Sequence, residues 1–162
     1  MKRRSSALYL TRGAMIAALY VAITWLCSVV GLSSGVIQFR ISEAMCILPV
    51  FLPEAVPALF IGCMISNLIA GGVVWDVILG AVATLLGAIG ARLLRRLPKA
   101  LMWVATLPTL LANVLIVPPV LIFAYGVLDA YWFIALTVGI GEIACACIGG
   151  TMLYFILKRI FR

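Results

Sequence analysis

Five carboxylates and one isolated arginine hold most of the chemistry this 162-residue chain can offer. Glu142 stands out, because it lies deep within an apolar stretch, about midway between Asp129 and Lys158. A carboxylate at the centre of a bilayer costs about 2.5–3.5 kcal/mol on insertion scales, so its presence points to a task. Its helical neighbours Gly139, Gly141, Cys145 and Ala146 are small and leave room beside it. The alternative is a packing helix whose glutamate is merely protonated or paired. Asn113 stands midway between Lys99 and Gly126, at a depth matching that of Glu142 on a neighbouring helix of opposite direction. The two side chains are expected to face one cavity; an ordinary interhelical hydrogen bond is the alternative for Asn113. Towards the opposite end from the basic clusters lie Gln38, Arg40, Glu43, Asn67, Trp75 and Asp76. Arg40 has an i,i+3 partner in Glu43, so an ion pair competes with ligand contact as its role. Trp75, Tyr125, Tyr131 and Trp132 read first as interfacial belt residues. Asp76 and Glu54 each stand where a helix dipole favours an acid, and Glu54 is left outside the site for that reason.

The elements that must position these residues are membrane helices. The chain is 66% hydrophobic and 10% charged, with a mean hydropathy of +1.28, too apolar for a water-facing exterior. Backbone groups in hydrocarbon must be satisfied within their own segment, and the alternation of a β-barrel is absent, so the fold class is all-α. Eleven of the twelve lysines and arginines fall into three clusters: Lys2, Arg3, Arg4 and Arg12; Arg92, Arg95, Arg96 and Lys99; Lys158, Arg159 and Arg162. Each abuts an apolar segment. The net charge of +7 therefore reads as a set of topology determinants on the cytoplasmic side rather than as a nucleic-acid surface.

Charge parity requires an even number of crossings between clusters. With Gly31, Ser33, Ser34, Gly35, the prolines Pro49, Pro53 and Pro57, and Gly71-Gly72 as breaks, this predicts six spans. They fall at about 12–32, 41–52, 54–71, 75–95, 100–125 and 131–158, with both termini cytoplasmic and one transmembrane domain over 1–162. The second would cover only about 18 Å as an α-helix and must be sheltered by its neighbours. Pro118-Pro119 is expected to loosen the fifth span. The first apolar run follows a basic start, has no A-x-A-like cleavage site, and is read as a retained helix.

The missing motifs narrow the function. There is no histidine, no C-x-x-C and no Gly-Lys pair, which leaves no metal-ligand spacing, no P-loop and no hydrolase signature. No resident cofactor or metal is expected, and the five cysteines read as small buried hydrophobes. A membrane enzyme is disfavoured; a structural membrane protein remains an alternative. ATP-driven transport would need a borrowed motor. Ala14, Ala18 and Ala22 form a small-residue stripe beside Arg12, suited to close helix approach, with ordinary intramolecular packing as the competing reading.

Several stretches resemble the QueT family. The most specific is Ile37-Gln38-Phe39-Arg40-Ile41-Ser42-Glu43-Ala44, continuing to Leu48-Pro49. Pro57 to Cys63, Ser66-Asn67-Leu68, Asp76 to Gly80, Asn113 to Pro118 and Val138 to Glu142 follow the same pattern over nearly the whole chain. The resemblance implies a six-helix S component of an energy-coupling factor (ECF) transporter in the bacterial plasma membrane. It further implies that Ala14, Ala18 and Ala22 contact a transmembrane T subunit, that two partner ATPases use the ATP, and that the ligand is a queuosine precursor, a 7-deazaguanine such as preQ1, preQ0 or queuine. An S component for another small molecule is the alternative. For such a ligand, Glu142 would accept the ring N–H and exocyclic amine while Asn113 donates to the carbonyl. Glu43 or Asp76 would meet an aminomethyl cation, and Trp75 or a tyrosine would stack on the ring.

Overall fold

The computed structural model describes residues 6–32 and 39–161. Gln38 and the basic residues Lys2, Arg3, Arg4 and Arg162 lie outside the described residues, as do Ser33, Ser34 and Gly35.

Among the described residues, six rods form a polytopic α-helical bundle. Helix α1 runs Ser6–Val29. A 3₁₀ helix at Ile41–Val50 is the short second rod. Helix α2 spans Ala55–Ile69 and α3 spans Val74–Leu93. A 3₁₀ stretch at Lys99–Thr106 leads into α4, Leu107–Tyr125. The last rod is composite: α5 at Tyr131–Glu142, a π-helical turn at Ile143–Gly149, and α6 at Gly150–Leu157. Four of the rods, Ser6–Val29, Val74–Arg96, Lys99–Tyr125 and Tyr131–Leu157, are long and apolar enough to cross a bilayer.

The short second rod takes its form from what surrounds it. At about 2.0 Å per residue, ten residues of 3₁₀ helix reach about 20 Å, further than an α-helix of equal length. Ser42, Glu43, Met45, Cys46, Ile47, Leu48 and Pro49 are all buried, so its neighbours shelter it as the span count requires. Met45, Cys46 and Leu48 join Tyr20 of α1, Leu59 and Cys63 of α2, and Ala81 and Ala88 of α3 in the main core. Its other side carries Ile47 into a smaller cluster with Met102, Ala105 and Tyr154. The π turn packs against this 3₁₀ helix, with Gly149 and Gly150 set against Ala44.

One expectation is corrected. Helix α4 continues without interruption through Pro118 and Pro119, and Asn113 within it donates from Nδ2 to the Thr109 carbonyl at 3.2 Å. The helix ends instead at Gly126, whose φ of 67° is the left-handed conformation that glycine adopts without strain. Glu54 stands at the N-cap of α2, where the helix dipole favours an acid as expected. It is fully buried, with the Arg12 guanidinium 3.7 Å from its carboxylate.

Candidate functional site

The end of the bundle remote from the basic clusters holds a polar hollow of about 560 Å³, within the range of about 300–1,000 Å³ common to small-molecule sites. Its wall includes Thr24 and Ser28 from α1, Arg40, Asn67 from α2, Asp76 from α3, and Val117, Leu121 and Tyr125 from α4. Below it, Arg40 and Val117 also line a much smaller space, about 10 Å³, closed by Asn113, Val138 and Glu142. Arg40 thus stands between an open vestibule and a deep polar pair.

That pair is the one expected from depth along the two helices. Asn113 is 1% exposed and Glu142 is 5% exposed. Both side chains line the same small space. Glu142 Oε2 has no hydrogen-bond partner among the described residues. A buried acceptor left open costs free energy, about 1–3 kcal/mol for an ordinary polar group, so the arrangement leaves a place for a donor to arrive. The π turn begins at the residue after Glu142, and single π turns inside α-helices occur frequently at functional sites.

The upper wall is a chain of hydrogen bonds. Arg40 donates from Nη2 to Asn67 Oδ1 at 3.2 Å, and Asn67 Nδ2 donates to the Asp76 backbone carbonyl at 3.2 Å. The Tyr125 hydroxyl donates to Asp76 Oδ2 at 2.9 Å and accepts from the Val73 N–H at 3.3 Å. Gly80 makes this packing feasible, because a Cβ there would come within 2.9 Å of Asn67 Nδ2. Both faces of Asn67 are thereby committed, and its amide acts as a spacer between Arg40 and the start of α3.

Two expected site residues take other places. Glu43 is 1% exposed and sits behind the hollow. Its carboxylate accepts from the Tyr20 hydroxyl, from Thr84 Oγ1 at 3.3 Å and from the Cys46 thiol at 3.2 Å. Those donors, together with the turn of Arg40 towards Asn67, replace the i,i+3 ion pair considered from sequence. Beside it, Thr24 Oγ1 and Ser42 Oγ are hydrogen-bonded at 2.8 Å, tying α1 to the 3₁₀ helix. Trp75 is 63% exposed and lines a separate apolar groove with Leu79, Pro119, Val120, Phe123 and Ala124. Gln38 lies outside the described residues. The aromatic that does border the hollow is Tyr125, which sequence reasoning assigned to the interfacial belt. Its position one residue before Gly126 at a helix end is equally that of a belt residue, so no sequence signal separates the two roles.

The small-residue stripe is open rather than packed away. Ala14, Ala18 and Ala22 are exposed on α1 and, with Ala17, Val21, Trp25, Ile65 and Ile69, line an apolar groove of about 710 Å³ between α1 and α2.

A stretch of 92 residues is 38% identical to the queuosine precursor transporter QueT of Lactococcus lactis subsp. cremoris (strain MG1363), covering 56% of this chain and 53% of that protein. The chain thus aligns with about half the length of this curated relative. No solved structure gives a significant match. The model of the QueT transporter family matches residues 10–159, nearly the entire chain, and the chain belongs to that family.

Proposed function

We propose that the chain is the membrane-embedded substrate-binding S component of an ECF importer in the bacterial plasma membrane, taking up a queuosine precursor. Both termini face the cytoplasm, where the basic clusters obey the positive-inside bias, and the hollow opens outward. The ligand class is 7-deazaguanine, and preQ1 suits the site best. Glu142 accepts the ring N–H and exocyclic amine, and Asn113 serves the ring carbonyl. Entry of the ring requires the pocket between Arg40, Asn113 and Glu142 to widen from about 10 Å³, drawing on the vestibule above it. The aminomethyl cation then faces Asp76 at the mouth; Glu43, already engaged by three donors, supports the wall. The observation that carries this reading is the open acceptor Glu142 Oε2, buried beside an amide and directly below a polar vestibule.

The exposed alanine stripe supports docking to a T subunit. Ala14, Ala18 and Ala22 present a surface that a partner helix can approach closely, and ATP hydrolysis belongs to the two partner ATPases. The test of ligand class is a thermal-shift panel on detergent-purified protein. A ligand at about 100 times its Kd stabilises the native state by about 2.7 kcal/mol. PreQ1 is expected to raise Tm clearly, preQ0 less, and thiamine or riboflavin not at all. A shift with a vitamin and none with either deazaguanine would reject the ligand assignment.

A further inference from the structure

A second concave site lies at the opposite, basic end of the bundle. It has a volume of about 610 Å³ and is lined by Phe51, Lys99, Tyr154, Lys158, Arg159 and Phe161. Its apolar side is continuous: Phe51 stacks on Tyr154 at 5.3 Å and on Phe161 at 5.4 Å between ring centroids. Lys99 opens the third of the four long rods, while Lys158 and Arg159 follow the end of the last one, so all three cations meet at one membrane boundary.

Among the described residues, no acidic side chain answers these cations. The chain contains five acidic side chains. Asp76 and Glu142 border the site at the other end, Glu43 is enclosed by its donors, and Asp129 lies in the α4–α5 connection at that same other end. Glu54, at the basic end, faces Arg12 at 3.7 Å. Among the described residues, Lys158 has a ring as neighbour instead, its Nζ standing 4.0 Å from the Phe155 centroid. That contact is weak at an exposed site, and a phosphate within reach would compete with it. Outside the pocket, Trp103, Phe155, Ile156 and Ile160 are each exposed and apolar, a surface suited to acyl chains.

We infer that this pocket binds the phosphate ester of an anionic phospholipid from the adjoining leaflet. Lys99, Lys158 and Arg159 hold the headgroup, and the Phe51–Tyr154–Phe161 stack forms the floor beneath its glycerol. Basic pockets between membrane helices recognise anionic headgroups in this manner, whereas a scattered positive surface attracts them only diffusely. A free phosphate ester has the same charge but lacks the chains that would lie along the exposed rods, and this difference separates the two sources.

The experiment is native mass spectrometry of the purified protein with equimolar phosphatidylglycerol and phosphatidylcholine. The wild type is expected to retain phosphatidylglycerol preferentially. Lys99→Gln with Arg159→Gln is expected to lower the retained phosphatidylglycerol at least about fivefold. Arg95→Gln with Arg96→Gln removes the same charge outside the pocket and should lower it less than about twofold. Glycerophosphoglycerol, the headgroup without chains, should fail to displace the lipid. Equal losses in the two double variants would overturn the site in favour of diffuse attraction. Displacement by the chain-free headgroup would overturn the lipid as its occupant. Intact melting behaviour of both variants in detergent guards against misfolding, since all four residues substituted are exposed.

Discussion

Replacing Asp76 by asparagine changes one charge at the mouth of the hollow and almost nothing else. An asparagine Oδ1 can still accept the Tyr125 hydroxyl that now lies 2.9 Å from Asp76 Oδ2, so the wall keeps its geometry. What disappears is the attraction for a ligand ammonium. Asp76 is half-buried at the rim of a water-accessible vestibule. Two unit charges about 4 Å apart interact by about 1 kcal/mol in bulk water and about 4 kcal/mol near a protein surface. An intermediate value of about 2 kcal/mol corresponds to roughly a 30-fold loss of affinity for preQ1. PreQ0 carries a nitrile in place of the ammonium, and its affinity should change by less than about threefold. Titration calorimetry at low ionic strength, where surface electrostatics are least screened, reads both ligands on one preparation. Equal losses for the two ligands would show that Asp76 maintains the wall instead of meeting the amine. No loss for either would remove it from the site.

Other perturbations probe the support behind the pocket. Tyr20→Phe withdraws one donor from buried Glu43 and should destabilise the unliganded protein by about 1–3 kcal/mol; an unchanged melting curve would contradict the network. Gly80→Ala sets helix propensity, which favours alanine by about 1 kcal/mol, against a Cβ arriving 2.9 Å from Asn67 Nδ2. PreQ1 affinity should fall at least about threefold as Asn67 and Arg40 shift, while stability changes little; retained affinity would show that the spacer tolerates movement. Ala18→Trp should block co-purification with the T subunit and leave preQ1 binding intact, and normal co-purification would exclude the groove between α1 and α2 as the docking face.

The bundle was legible in the sequence wherever charge and proline bracket an apolar run. Because clusters of lysine and arginine flank the spans, parity located six rods and required one to be short. The depths of Asn113 and Glu142 followed from the nearly constant rise of a helix, which is why two residues far apart in sequence were correctly expected to meet. The form of Ile41–Val50 was not legible. A continuous apolar run shows burial but not whether the chain is wound three or 3.6 residues per turn, and packing decides that. The π turn after Glu142 is equally silent, since an i,i+5 ladder requires no special residue. Polar residues with local sequence partners misled: Arg40 and Glu43 are spaced for an ion pair, yet each finds better-placed partners on other helices in Asn67 and in Tyr20, Thr84 and Cys46. Trp75 and Tyr125 illustrate the same limit for aromatics. Both stand near the end of a rod, and only the rotation of α3 against α4 turns Tyr125 into the hollow and Trp75 away from it.

Glu142→Gln addresses the deep pair itself. The amide is isosteric, but it replaces an acceptor with a donor facing the donor edge of the ring. Calorimetric titration of preQ1 into the purified variant should show affinity reduced more than about tenfold, at least about 1.4 kcal/mol. Affinity equal to that of the wild type would mean that the buried carboxyl does not hold the ligand.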